Sequence, residues 1–217
     1  MFVMTIDQRG SRAGDDAVPE LLAALARIDT VRGFQRTIGD EVQGVLDDPG
    51  QVAEAVRLIA VLTGWHIGIG IGAVEEPLPD STAEARGEAF YAARRAVEAA
   101  KSAPAHLVVA SGDEGSAGAE GMGEESGGHL GFAEAALRLL ARTLDDLREQ
   151  SRGYVAYRLD HPEATQVDIA KHFAVSQQAV SRVLSQGSAE IVAGARALSA
   201  HHLGLAARVS GAGHNNG

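Results

Sequence analysis

Cysteine is absent from this chain, so it has neither disulfides nor thiolate metal sites. It also has no uninterrupted apolar run of about 18 residues and no basic segment leading into a short apolar one. A membrane span and a secretory signal are both unexpected, and the cytoplasm is the expected compartment. Aromatic residues are only 4% of the chain, and prolines number six in 217 residues. Basic charge is scarce as well: 19 Lys and Arg stand against 29 Asp and Glu, a net charge of −10. That balance argues against a protein coating a polyanion along its whole length. The deficit is uneven. From Ser151 onward six basic residues face four acidic ones (+2), so the acidity lies in the first 150 residues and the remainder is free to meet DNA.

What is present is 45% hydrophobic content arranged in short periodic runs. Phe2–Asp7 reads as a buried strand. Val18–Ile28 reads as an amphipathic helix with Leu21, Leu22, Leu25 and Ile28 on one side. Val31–Leu46 reads as a β-hairpin turning at Gly39-Asp40-Glu41. Asp48-Pro49 opens a helix to Leu62, His66–Val74 is a strand, a helix follows from an N-cap at Ser81 to Lys101, and Ala105–Ala110 is a last strand. This order predicts an α+β domain, with one sheet and helices on one face.

Ser111–Gly128 is mostly glycine, serine and glutamate with almost nothing able to enter a core, and reads as a flexible linker. Helices fill the rest. The expected division is an α+β domain over 1–111, a linker over 112–128, a helical domain over 129–209 and a frayed tail over 210–217. On this division a fragment ending near Ser111 folds by itself.

Two carboxylates draw attention in the first part. Asp7 ends an apolar strand, and Asp40 sits at the hairpin tip. Both have an ordinary reading as turn residues. If the first strand lies beside the hairpin, both reach one sheet edge, where they repel unless a cation stands between them. Mg²⁺ takes one or two carboxylates together with phosphate oxygens. Glu41 is adjacent but alternates to the opposite face. In HIGIGIGAV, Gly68, Gly70 and Gly72 share one side of the strand and Ile67, Ile69 and Ile71 the other. A bare side needs a close neighbour, either a packed helix or a flat ligand.

In the second part, Gln166–Leu184 (QVDIAKHFAVSQQAVSRVL) has the pattern of a helix-turn-helix. Ile169, Ala170 and Phe173 form the inner side of a first helix, Ala174-Val175-Ser176 the turn, and Val180, Val183 and Leu184 the inner side of a second. Gln177, Gln178, Ser181 and Arg182 point outward. Gln reads adenine edges and Arg reads guanine, while Ser176 and Lys171 are placed for phosphates. The competing reading is a helical corner used only for packing. Leu137, Leu140, Leu144 and Leu147, like Ile191, Ala195 and Leu198, recur at helical spacing, as core or as a dimer face. His201-His202 reads as a surface pair, and the other histidines show no ligand spacing. There is no Walker-type phosphate loop.

MTIDQRGSR, RTIGDEVQGVL, HIGIGIGAV and GEAFYAARRAVEAAK resemble, in order, the segments of class III nucleotide cyclase catalytic domains across about residues 2–110. The resemblance implies a ferredoxin-like, cyclase-like sheet. It assigns Asp7 and Asp40 as metal ligands for Mg²⁺ and a purine nucleotide, Arg36 to a base-reading position and Arg95 to the phosphoryl-stabilising arginine. Tyr91 stands where the family has an asparagine and Gly70 where a histidine is usual. A missing polar donor to developing charge costs ~10²–10³ in rate, so the implied role is nucleotide binding with no catalytic residue assigned. Over its whole length, and in VMTIDQRGSR and AKHFAVSQQAVSRVL, the chain resembles the SatD family, grouped as cytoplasmic bacterial DNA-binding proteins. The reading is therefore a homodimeric DNA-binding transcriptional regulator whose first domain binds a nucleotide or serves as a dimerisation platform. An active nucleotide cyclase with an accessory DNA-binding domain is the alternative.

Overall fold

The structure is a computed structural model and describes residues 1–10, 15–112 and 123–212. Five strands, β1 (Phe2–Gln8), β2 (Arg32–Arg36), β3 (Val42–Leu46), β4 (Trp65–Ile71) and β5 (Leu107–Ser111), form one sheet in the order β2-β3-β1-β4-β5. β1 is central and antiparallel to both β3 and β4, and only β5 runs parallel to its neighbour β4. The molecule is thus α+β, with a mixed sheet.

The helices are α1 (Val18–Leu25), α2 (Pro49–Leu62), α3 (Glu88–Ala100), α4 (Gly123–Asp145), α5 (Glu149–Asp160), α6 (Gln166–His172), α7 (Gln177–Leu184) and α8 (Ser188–Ala212). The start of α2 shows why its sequence folds as it does. Asp48 accepts from the amides of Gly50 and Gln51, and Pro49 takes a first-turn position where no amide partner is needed. The helix expected from Ser81 to Lys101 is shorter. Thr82–Glu84 is a single 3-10 turn, and Gly87, at φ 131°, breaks the chain before α3 begins.

Helices cover both faces of the sheet, not one. Phe2, Met4, Ile6, Ile67, Ile69 and Ile71 pack with α1, α2, α4 and α8. Val3 and Val45 turn to the other side and meet Ala89, Phe90 and Ala93 of α3. The bare side of β4 is where α3 lies. A Cβ on Gly70 would stand 2.0 Å from the Ala89 carbonyl oxygen, and one on Gly68 2.3 Å from the Val97 amide nitrogen. Alternating glycine on the strand and alanine on the helix let two backbones touch, which is the packed-helix reading of HIGIGIGAV.

The apolar core does not stop at the expected boundary. Leu137, Leu140 and Leu144 of α4 and Val192 and Leu203 of α8 are fully buried in the same cluster as Phe2 and Ile69. Arg138 donates to the Leu107 carbonyl, and Glu134 accepts from the Val109 amide, so α4 also satisfies the outer edge of β5. Of the expected linker, 113–122 lies outside the described residues, and 123–128 already belongs to α4. At the other end α8 continues to Ala212, beyond the expected start of the tail. Leu137, Leu140 and Leu144 are core, whereas Ile191 and Leu198 are exposed.

A second, smaller cluster holds α5, α6 and α7 together through Tyr154, Ile169, Ala170 and Val180, with Phe173 and Val175 against it. A charged clamp ties this cluster to the sheet side. Arg57 of α2 is 2% exposed and reaches both Glu54 (2.6 Å) and Asp160 at the end of α5 (2.7 Å). Arg27 reaches the same two acids, and Arg196 reaches Glu54. Burial pushes the Glu54 carboxyl up, but Arg57 and then Arg196 outweigh it and hold it at about 2.

Candidate functional site

The structure brings Asp7 and Asp40 together, holds Arg36 at the same end of the sheet but on another partner, and leaves Arg95 at the opposite end. β1 delivers Asp7 to the end of the sheet nearest the C-terminus of α3. The β2–β3 turn delivers Asp40 to the same end. Its geometry is set by Gly39 at φ 63° and by a Thr37 amide bonding to the Glu41 carbonyl at 2.9 Å. The Glu41 side chain accepts from the Thr37 hydroxyl at 2.5 Å. The Asp7 carboxyl lies above its ordinary range because of burial first and the Asp40 charge second. Asp40 Oδ2 is buried with no hydrogen-bond partner among the described residues. Two ionised carboxylates offer each other no hydrogen, so their approach costs energy that a cation or a proton would recover.

One cation is already close. Lys101 Nζ lies 3.5 Å from Asp7 Oδ2 and 2.8 Å from Glu98. His66 stands opposite Asp7 in the β1–β4 register, and its ring meets that of His106 edge to face at 5.0 Å. Burial lowers the His66 pKa, helped by His106 and Arg9. Both rings carry a buried Nδ1 without a partner among the described residues. Sequence reasoning passed over His66, His106 and Lys101 because they share no spacing. The signal was the strand parity that puts His66 beside Asp7, readable only once β1 and β4 are paired.

The donor set suits an oxygen-seeking divalent ion to this extent: two carboxylates, one with an orphaned oxygen, leave positions for water or phosphate oxygens. Among the described residues no group of three or more His, Cys, Asp or Glu is arranged to hold a metal. Both candidate arginines take other partners. Arg36 is ion-paired with Asp16, and Arg95 donates to the Ser111 carbonyl at 3.1 Å, at the opposite end of the sheet from Asp7. Tyr91 is 56% exposed on α3. One surface cleft is lined by Arg9, Trp65 and His106 and another by Met1, Val74 and Ala207, so neither opens on the paired carboxylates.

The second constellation lies on α6 and α7. Thr165 and Asp168 close a reciprocal cap at the start of α6. The chain then turns through Ala174, at φ 52°, and α7 is capped by Ser176, whose hydroxyl oxygen accepts from the Ala179 amide at 3.2 Å. Val180 is fully buried and fixes the rotation of α7. With Val180 inward, Gln177, Gln178 and Arg182 are exposed and Ser181 is half-exposed. Lys171 is exposed in the last turn of α6. The outward set on α7 thus carries two amides and a guanidinium in water, and α6 adds an exposed ammonium.

No family model matches the sequence, and neither a curated protein nor a solved structure matches it. Among the described residues no helix is long and apolar enough to cross a membrane.

Proposed function

We propose that the chain is a DNA-binding transcriptional regulator, with α6 and α7 as a helix-turn-helix and α7 as the reading helix. The observation that carries this is the outer face of α7. Gln177, Gln178 and Arg182 stand clear of the body while Val180 anchors the helix from behind. Amide and guanidinium groups match adenine and guanine edges in the major groove. Lys171 and the Ser176 hydroxyl then hold phosphates on either side. The excess of +2 beyond Ser151 supplies little sequence-independent affinity, so discrimination rests on base contacts and on two copies acting together. Selection from random DNA with the full chain tests the reading. It predicts an enriched site whose half-sites are related by a two-fold. Recovery of unenriched DNA would refute it.

The first half adds a second, dependent proposal. The order β4-β1-β3-β2, reached through α1 and α2 on one face, is that of a ferredoxin-like unit and favours the cyclase-like resemblance. Asp7 and Asp40 would hold Mg²⁺, which would bind phosphate oxygens of a purine nucleotide. Arg36, at the same end of the sheet, contributes only by releasing Asp16, and Arg95, at the opposite end, only if a second copy or a rearrangement brings it in. Catalysis is not part of the proposal, since Tyr91 and Gly70 replace two of the family's polar groups. Calorimetric titration of ATP and GTP with Mg²⁺ tests it. Binding that Asp7→Asn and Asp40→Asn both abolish is expected, and equal binding by those variants would refute it. Formation of cyclic product would instead favour the cyclase alternative.

A further inference from the structure

Four large apolar side chains are left in water on the outer side of α4 and α8. Phe132 and Leu139 are 59% and 54% exposed on α4, and Ile191 and Leu198 are exposed on α8. Within each helix the two are seven residues apart, so each pair lies on one stripe. The stripes adjoin. His202, one turn beyond Leu198, meets the Phe132 ring at 5.2 Å and His129 Nδ1 at 3.0 Å. α8 runs back along α2, with Gly204 beside Pro49 and Arg196 bonded to Glu54. Asp145 at the end of α4 sits by Ile59 and Thr63 at the far end of α2, so α4 and α8 are antiparallel neighbours. The exposed residues between the large ones include Ala135 and Gly194, so nothing bulky keeps a second surface away.

We propose that this face is where two copies of the chain meet, with a two-fold axis running parallel to α4 and α8 so that α4 of each copy lies on α8 of the other. The charges at the margins identify the occupant. Arg142 is exposed on the side of α4 away from α8, and Glu190 is exposed on the side of α8 away from α4. They stand at one level. His129 meets His202, and thirteen residues along each helix from that contact bring Arg142 beside Ala189, next to Glu190. A two-fold axis along the seam between the helices exchanges left and right margins and keeps the level. Arg142 of each copy then falls against Glu190 of the other, with Leu139 and Ile191 covered between the two pairs. An isologous contact needs this kind of self-complementarity. An axis across the helices would reverse α4 on its copy and carry Arg142 to the opposite end, away from Glu190.

Neither charge is strongly held in the single chain. Glu190 has no ion pair among the described residues. Arg142 rests on Asp146 at 2.6 Å, with Asp145 at 3.8 Å, all on the exposed side, where such pairs are worth little. Turning to the other copy's Glu190 therefore gives up little.

Reach supports the same axis. α8 follows α7 after a three-residue turn, at the Glu190 end, so an axis parallel to α8 places both copies of α7 at one end of the dimer. In a four-helix contact α8 lies roughly 5–7 Å from the axis, given helix spacings of about 8–10 Å. Half of α7, about 6 Å at 1.5 Å per residue, and the three-residue turn before α8 add to that distance. Each then lies within about one to two nanometres of the axis, the range that major-groove sites about 34 Å apart require. This reach argument rests on α7 being the reading helix. The self-association experiment uses no DNA, so the two ideas fail separately.

Sedimentation of the full chain over a concentration series is the test, with circular dichroism to confirm folding. Wild type is expected to be a dimer and Leu139→Lys a folded monomer. Arg142→Glu places two carboxylates against one another at each margin, and Glu190→Arg places two guanidinium groups. Each single variant should self-associate at least tenfold more weakly, since like charges across an interface repel. An equal mixture of the two should recover the dimer, because both margins of the mixed pair again join an acid to a base. A monomeric wild type overturns the proposal. So do single variants that pair as tightly as wild type, or a mixture that pairs no better than its components.

Discussion

Asp7 is a residue whose folded surroundings work against its charge. Burial and Asp40 raise its pKa above the ordinary 3.8, and Lys101 only partly opposes them. A carboxyl raised on folding favours the folded state while protonated. That contribution is present below 3.8 and lost as pH rises through the raised value. At pH 7 the ionised group therefore costs stability, and Asp7→Asn is expected to raise the melting temperature there. The gain should vanish below pH 3.8, which parallel melts across pH would show. Added Mg²⁺ should stabilise the wild type and leave the Asn variant unmoved if the carboxylates hold the ion. The convergence of Asp7 and Asp40 was legible because strand ends and hairpin tips are positions that sequence marks. The partners of Arg36 and Arg95 were not, because a long flexible cation takes whichever acceptor the tertiary fold brings near: Asp16 for one, the Ser111 carbonyl for the other.

At the scale of elements, the pairing of β4 with α3 depends on the absence of side-chain atoms. Gly70→Ala would put a methyl group 2.0 Å from a helix carbonyl, and neither backbone is free to withdraw. The expected cost is about 2–3 kcal/mol, measured by urea unfolding, as overpacking of a tight contact. A loss of a few tenths would mean that α3 rides loosely on the sheet. The glycine alternation announced a close neighbour in advance. That the neighbour is α3, on the face away from α1, α2, α4 and α8, was not legible, because an alanine-rich helix carries little sign of which side of a sheet it will cover. The expected helix from Ser81 failed for a more local reason: Gly87 adopts a backbone that a helix interior does not allow.

At the scale of the molecule, the largest core crosses the sequence boundary that glycine and serine suggest. The apolar stripes of α4 and α8 look the same whether they pack on each other or on a sheet, so composition does not distinguish the two. The structure has them do both. A fragment of residues 1–112 is therefore expected to lose its cooperative thermal transition, because Phe2, Ile69 and the α2 side chains would face water. A sharp transition in that fragment would contradict the shared core. Arg57 extends the dependence to the α5, α6 and α7 cluster through Asp160. Arg57→Met should cost about 3 kcal/mol in chemical unfolding, the loss expected when a buried pair is broken from one side.

The claim that α7 reads DNA is tested most directly by the affinity of Arg182→Ala for the selected site, at one fixed salt concentration and beside the wild type. Arg182 is exposed, near the end of a helix whose inner side is fixed by Val180, so the variant should fold and melt as the wild type does. Loss of one good base contact corresponds to ~1–3 kcal/mol, or roughly a 5- to 150-fold weaker complex, with unselected DNA bound as before. Unchanged affinity for the selected site, in a variant that folds normally, would contradict a reading role for this face of α7.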